Sequence, residues 1–251
     1  TVQPPSPEIN ITERWDLPAV LKEVSGIAYI DKDRFACIQD EDGTIFIYNR
    51  ASKKVEKEIP FAGPGDYEDI SLIGNTAWVV RADGRLYETD ITAGKQAKEY
   101  ATPLTVEHNI EGLSYDKKNN RLLLAVKDDD AGTKDYKNIY AFDLAKKTLV
   151  SEPVIRIDVN HELLGTGKGK KEKTVRPSAL EIHPVTGELY VTDGPQRRLI
   201  VMDASGNIKR LLSLGKSFQQ PEGIAFSPQG ELFISNEGTK EPGNILQVNV
   251  E

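Results

Sequence analysis

The chain is poor in the residues on which much catalytic and metal chemistry depends: among 251 residues there is one cysteine, Cys37, and three histidines, His108, His161 and His183. A lone cysteine excludes an internal disulfide, and its place in the apolar stretch 24–38 marks it as a buried, inert thiol. The histidines sit in loop-like contexts and no two have zinc-ligand spacing, while no Gly-x-Ser-x-Gly elbow occurs, so neither a zinc nor a serine hydrolase is legible. No run of about 18 apolar residues is present, so no segment reads as membrane-spanning. Met202 is the only methionine, so the sequence starts without an initiator, and any signal peptide or lipid anchor is expected to precede it. Positive charge is in deficit: the net charge is −7 and the pI near 5.2, which repels phosphate backbones and anionic lipid surfaces. No nucleic-acid partner is expected, and the chain is expected to be a monomer.

What the sequence does contain is a repeat. A phrase in which Ser or Glu precedes a small or acidic residue and then Ile or Leu occurs five times: Val24-Ser25-Gly26-Ile27, Tyr67-Glu68-Asp69-Ile70, Ile110-Glu111-Gly112-Leu113, Pro177-Ser178-Ala179-Leu180 and Pro221-Glu222-Gly223-Ile224. The copies are 43, 43, 67 and 44 residues apart. A period in the low forties suits a four-stranded antiparallel blade, about five residues per strand plus turns. Within each unit short apolar runs alternate with Gly- and Pro-marked turns, as in Ile224-Ala225-Phe226, Ser227-Pro228-Gln229-Gly230 and Leu232-Phe233-Ile234, and no amphipathic helix intervenes.

The predicted fold is therefore all-β, a five-bladed β-propeller, with six blades as the alternative should the long interval hide a degenerate unit. The chain stops after the third strand of its last unit, so the alternating segment 9–17 is predicted to supply the missing outer strand and close the ring. Residues 1–8 are Pro-rich and read as a linker; residues 9–251 form one propeller domain with a basic loop insertion at about 161–175. The stretch Gly165-Thr166-Gly167-Lys168-Gly169-Lys170 lacks Walker spacing and a strand-to-helix context, so it reads as a solvated loop.

In a propeller the innermost strands line the axis, so equivalent positions form a ring. The second residues of the five phrases are Ser25, Glu68, Glu111, Ser178 and Glu222, with Asp69 adding a carboxylate. The second strands end in another aligned set, Gln39, Arg81, Lys127, Asp193 and Asn236, flanked by Asp40, Asp128 and Glu237. Both sets should share one face, because antiparallel pairing lays the end of the second strand beside the start of the first. Three carboxylates about one axis repel one another unless a cation or donor intervenes. One compensation is a hard cation such as calcium, for which Glu68, Glu111, Glu222, Asp193 and Asn236 are the candidate ligands. The other is internal pairing of Arg81 with Glu68 and Lys127 with Glu111. Ser25, Gln39, Asp69, Arg81, Lys127 and Ser178 are the candidate contacts for a small molecule or protein ligand at the channel mouth.

The phrases Glu23-Val24-Ser25-Gly26-Ile27, Asn109-Ile110-Glu111-Gly112-Leu113, Arg176-Pro177-Ser178-Ala179-Leu180 and Gln220-Pro221-Glu222-Gly223-Ile224, in that order, resemble the SdiA-regulated family of bacterial propellers over about residues 11–250. The resemblance implies a propeller without established enzymatic activity, exported to the periplasm or cell surface or tethered to the envelope as a lipoprotein, with calcium at the axial acids. Glu68-Asp69 departs from the family's acid-then-glycine pair, as does the basic insertion before Arg176. A second resemblance, carried by Glu222-Gly223 and the strand around Phe233, is to gluconolactonase-type and phytase-like propellers. It implies a metal-dependent hydrolase, a lactonase or phosphoesterase, with Glu222, Asn236 and Asp193 as ligands.

Overall fold

The computed structural model describes residues 9–94, 96–128, 130, 134–165 and 174–250. The linker reading of residues 1–8 and the core of the basic loop, residues 166–173, lie outside the described residues. Strand β1 (Ile9–Asp16) comes first, followed by blade 1 with β2 (Val24–Tyr29), β3 (Arg34–Gln39), β4 (Thr44–Asn49) and β5 (Lys54–Pro60). Blade 2 holds β6 (Tyr67–Ile73), β7 (Thr76–Arg81), β8 (Leu86–Asp90) and β9 (Lys98–Tyr100). Blade 3 holds β10 (Ile110–Asp116), β11 (Arg121–Val126), β12 (Tyr136–Asp143), β13 (Thr148–Leu149) and β14 (Ile155–Asp158). Blade 4 holds β15 (Pro177–Ile182), β16 (Leu189–Asp193), β17 (Arg198–Met202) and β18 (Ile208–Ser213). Blade 5 holds β19 (Pro221–Phe226), β20 (Leu232–Asn236) and β21 (Asn244–Val250). The protein is a five-bladed propeller, and every pairing within a blade is antiparallel.

Blade 5 is completed by β1, which pairs with β21 from Ile9 opposite Val250 to Asp16 opposite Asn244. This closure is anchored by packing as well as by the ladder. Trp15 lies 6.2 Å from the Phe233 ring, and the Arg50 guanidinium from blade 1 covers Trp15 at 4.9 Å. Burying a large side chain of this kind contributes about 2–3 kcal/mol, enough to oppose fraying of the terminal strand.

The long interval in the repeat is not a sixth blade. Outer strand pairing in blade 3 is broken in two, and both β13 and β14 pair with the long β12. Pro153 falls in the gap, where a residue without an N–H cannot continue the ladder. The remaining extra residues divide between a longer connection from β11 to β12 and, for the most part, the segment between β14 and β15.

The core consists of five apolar clusters, one between each pair of adjacent blades. Ile47, Ile70 and Val79 join blades 1 and 2, for example, while Leu123, Leu180 and Val191 join blades 3 and 4. Period-two alternation explains this: successive side chains point to opposite faces of a blade, and both faces of inner strands meet a neighbour. The Ile or Leu of each phrase, namely Ile27, Ile70, Leu113, Leu180 and Ile224, is buried. Outer strands see a neighbour on fewer sides, so β5 alternates mostly exposed residues with the buried Ile59. Cys37 is fully buried, and burial pushes its thiol pKa far up, so the thiolate is not accessible to chemistry.

Candidate functional site

Each of the five ring residues occupies the same backbone irregularity. In every blade the pairing of the first and second strands slips by one residue at this position: between Val24 and Gly26, Tyr67 and Asp69, Ile110 and Gly112, Pro177 and Ala179, and Pro221 and Gly223. The skipped residues are Ser25, Glu68, Glu111, Ser178 and Glu222. A β-bulge leaves its extra residue out of the ladder and re-aims the side chain. The recurring phrase is thus the sequence of a recurring bulge.

The five side chains then divide. Ser25 Oγ donates to the Tyr67 carbonyl at 2.7 Å, and Ser178 Oγ donates to the Pro221 carbonyl at 2.6 Å. Each serine therefore ties its blade to the residue just before the glutamate of the next blade. Between blades 2 and 3 the tie is made by Asp69, whose oxygens accept from Ile70 N–H and Leu113 N–H, both at 2.8 Å. Gly26 makes room for it, since a Cβ there would lie 2.7 Å from Asp69 Oδ1. Burial raises the Asp69 pKa well above the usual range.

The glutamates face one another electrostatically. Glu111 is nearly buried and receives Lys127 Nζ on both oxygens at 2.6 Å, with Asn109 Nδ2 on Oε1 at 3.0 Å. Burial still raises the Glu111 pKa despite this partner, whereas Lys127 stays charged: burial opposes its charge, but Glu111, Glu222 and Glu68 outweigh that and raise its pKa. Burial, with Glu111 as like-charged neighbour, pushes Glu222 up to about 8. The same two causes, joined by Asp66 and Glu222, lift Glu68 far above the carboxylate range. Three acids therefore share one ammonium, and the two not bound by it are held toward their protonated forms.

The expected pairing of Lys127 with Glu111 is present, but Arg81 does not serve Glu68. Its guanidinium is held by Asp83 at 2.6 and 3.0 Å and by the Tyr87 hydroxyl at 3.0 Å. The aspartate two residues along reaches Arg81 first, which the alignment of strand ends could not reveal. Gln39 caps its own loop, accepting from Glu41 N–H and Asp42 N–H and donating to Asp42 Oδ2 at 2.7 Å. Asp193 is held by Arg198 Nε at 2.9 Å, while another nitrogen of Arg198 reaches the Thr174 carbonyl at 2.8 Å. Burial raises the Asp193 pKa even beside that guanidinium. Asn236 donates to Asn244 Oδ1 at 3.0 Å, and its own buried Oδ1 has no hydrogen-bond partner among the described residues. Among the described residues no group of three or more His, Cys, Asp or Glu is arranged to hold a metal ion.

One further set was missed. The residue just before each phrase is polar in all five copies: Glu23, Asp66, Asn109, Arg176 and Gln220. Asn109, held at a positive φ of 51°, bridges Glu111 and Asp128, and Arg176 reaches Asp128 from the next blade. Gln220 donates to Glu237. Burial, followed by repulsion from Asp40 and Glu23, raises the Glu237 pKa. The fivefold recurrence of a polar residue at this position was the available signal.

A five-bladed propeller whose inner-strand bulges gather acids at one end of the axis is the class this geometry defines. The sequence matches the SdiA-regulated family over residues 3–240, and the chain belongs to that family. No curated protein matches it. Among solved structures it is similar to the glutaminyl cyclase of Myxococcus xanthus, with a TM-score of 0.70, 15% identity and 99% of each chain covered. It is also similar to a protein of unknown function from Bacteroides thetaiotaomicron, with a TM-score of 0.61, 13% identity, and coverage of 92% of this chain and 59% of that one. A streptogramin B lyase follows at a TM-score of 0.51 and 14% identity, covering 96% of this chain and 73% of that chain. At these identities the likeness is one of fold.

Proposed function

We propose that the chain is a binding propeller whose axial carboxylates capture a positively charged ligand. The observation that carries this reading is the ratio at the axis: Glu68, Glu111 and Glu222 interact electrostatically with one another, and among the described residues the Lys127 ammonium bonds only to Glu111. Burial first, and repulsion second, hold Glu68 and Glu222 toward their protonated forms; a cation between them would offset both, so ligand affinity is coupled to proton release. An organic ammonium fits the arrangement as it stands, because Lys127 already demonstrates ammonium binding on Glu111. Calcium, which takes six to eight oxygens, would require Lys127 to release Glu111, with Asn236 Oδ1 as one further oxygen to recruit.

Thermal unfolding at fixed ionic strength with spermidine, with calcium chloride and with sodium chloride tests this. A specific cation at a hundred times its Kd stabilises by about 2.7 kcal/mol, on the order of 5 °C or more for a chain of this size. The shift should vanish in the double variant Glu68→Gln/Glu222→Gln. Equal melting temperatures in all three salts overturn the proposal.

Turnover is the second reading, and the raised Glu222 pKa favours it, because a carboxyl protonated near neutral pH is the form a general acid requires. It predicts hydrolysis of a lactone or phosphoester that is lost in Glu222→Gln. Export and envelope tethering rest on the family resemblance and are tested by cell fractionation.

A further inference from the structure

The opposite end of the propeller carries a second feature. The ring residues stand at the starts of β10 and β15, whereas the hairpin turns following these strands lie at the far end. There a cleft of about 930 Å3 opens between blades 3 and 4, within the size range of small-molecule sites. Its floor is apolar, from Leu123, Ile155, Ile182 and Leu189, and its lip carries Lys117 and Lys118 on the β10–β11 turn. The cleft exists because of local irregularities. The outer strand of blade 3 restarts at Ile155 after its break, and Gly206 brings the β17–β18 turn against it: a Cβ there would lie 2.6 Å from Ile155 Cγ2.

The charges at the lip are unevenly committed. Asp116 is engaged by Arg121 at 2.8 Å and by Asn119 Nδ2 at 2.7 Å. Asp203 is engaged by Asn207 Nδ2 at 2.9 Å and by Lys209 at 3.3 Å, and Glu188 accepts from the Thr186 hydroxyl at 3.0 Å. Lys117 and Lys118 are exposed and have no acidic partner among the described residues. In a protein of net charge −7, an apolar cleft where Asp116 and Asp203 are paired with cations, and where Lys117 and Lys118 outnumber the one acid without a cationic partner among the described residues, Glu188, is complementary to an anion with an apolar body.

We infer that this cleft binds a small amphipathic anion, a carboxylate or sulfonate on an aliphatic or aromatic body, with Lys117 and Lys118 meeting the head group and Leu123, Ile155 and Leu189 the body. The site is independent of the axial acids. The test uses 8-anilinonaphthalene-1-sulfonate fluorescence on the folded chain, with octanoate and octanol as competitors and the melting temperature as control for intact folding. Saturable binding of one dye per chain, displaced by octanoate at least tenfold more effectively than by octanol, is expected. The same dye affinity should fall at least tenfold in Lys117→Glu/Lys118→Glu and stay unchanged in Glu222→Gln. No saturable binding, equal displacement by octanol, or an unchanged affinity after the lysine reversal in a variant that melts normally would overturn the inference.

Discussion

Blades 1 and 4 carry serine at the bulge where blades 2, 3 and 5 carry glutamate, and the same backbone position does different work in the two groups. The serines are too short to reach far beyond the bulge, so each donates to a carbonyl of the next blade and stiffens the ring. The glutamates extend past that point: Glu111 takes the Lys127 ammonium, and Glu68 and Glu222 interact electrostatically with it. Side-chain length at one repeated position therefore separates a structural tie from a candidate binding group. The pattern is also sequential: each serine tie holds the residue immediately ahead of a glutamate, Tyr67 before Glu68 and Pro221 before Glu222, so the structural positions fix the backbone from which the acidic ones project.

The comparison is broken most severely at Lys127. Lys127→Met leaves Glu111 buried without its cation, a situation that costs about 3 kcal/mol or more; urea denaturation at pH 7 should report it, and adding Glu111→Gln should restore much of the loss. An unchanged midpoint in the single variant would mean that the glutamates are better solvated than their burial indicates.

A smaller effect of opposite sign is expected at Glu222. Its pKa is raised from about 4.5 to about 8 on folding, so the folded state binds the extra proton in this interval. Full stability from this group is present below pH 4.5 and is lost as the pH rises toward 8. Glu222→Gln should match the parent at pH 4 and exceed its stability at pH 8, by a margin that widens through the interval. Parallel pH–stability curves for the two proteins would remove the electrostatic argument for the axial cluster.

The smallest effect belongs to the serine blades. Ser178→Ala deletes a buried donor to Pro221 O and should cost about 1 kcal/mol, with the response to spermidine or calcium unchanged. A lost cation response in this variant would show that serine and glutamate positions are not separable.

Much of the fold was legible because propeller geometry repeats. Five phrases gave the blade count, the interrupted last unit predicted the pairing of β1 with β21, and the apolar position of each phrase is buried throughout. The candidate site was legible only in part. Lys127 and Glu111 pair as expected, but Arg81 turns to Asp83, Gln39 to its own loop and Asp193 to Arg198. Each of these polar groups found a partner within a few residues along the chain. Repeat alignment predicts where a Cα lies, but competition among nearby partners decides where a long side chain ends.

The sequence by itself determined the propeller repeat, the closure of the ring and which residues stand at equivalent positions, because those follow from period and alternation, which are properties of the chain. Only the tertiary structure decided that the long interval holds no sixth blade, that the equivalent position is a bulge, that serine there ties blades together, and that Lys127 pairs with one of three electrostatically coupled glutamates. Those outcomes depend on distances between residues far apart in sequence and on the loss of water around them, and both arise only when the blades pack.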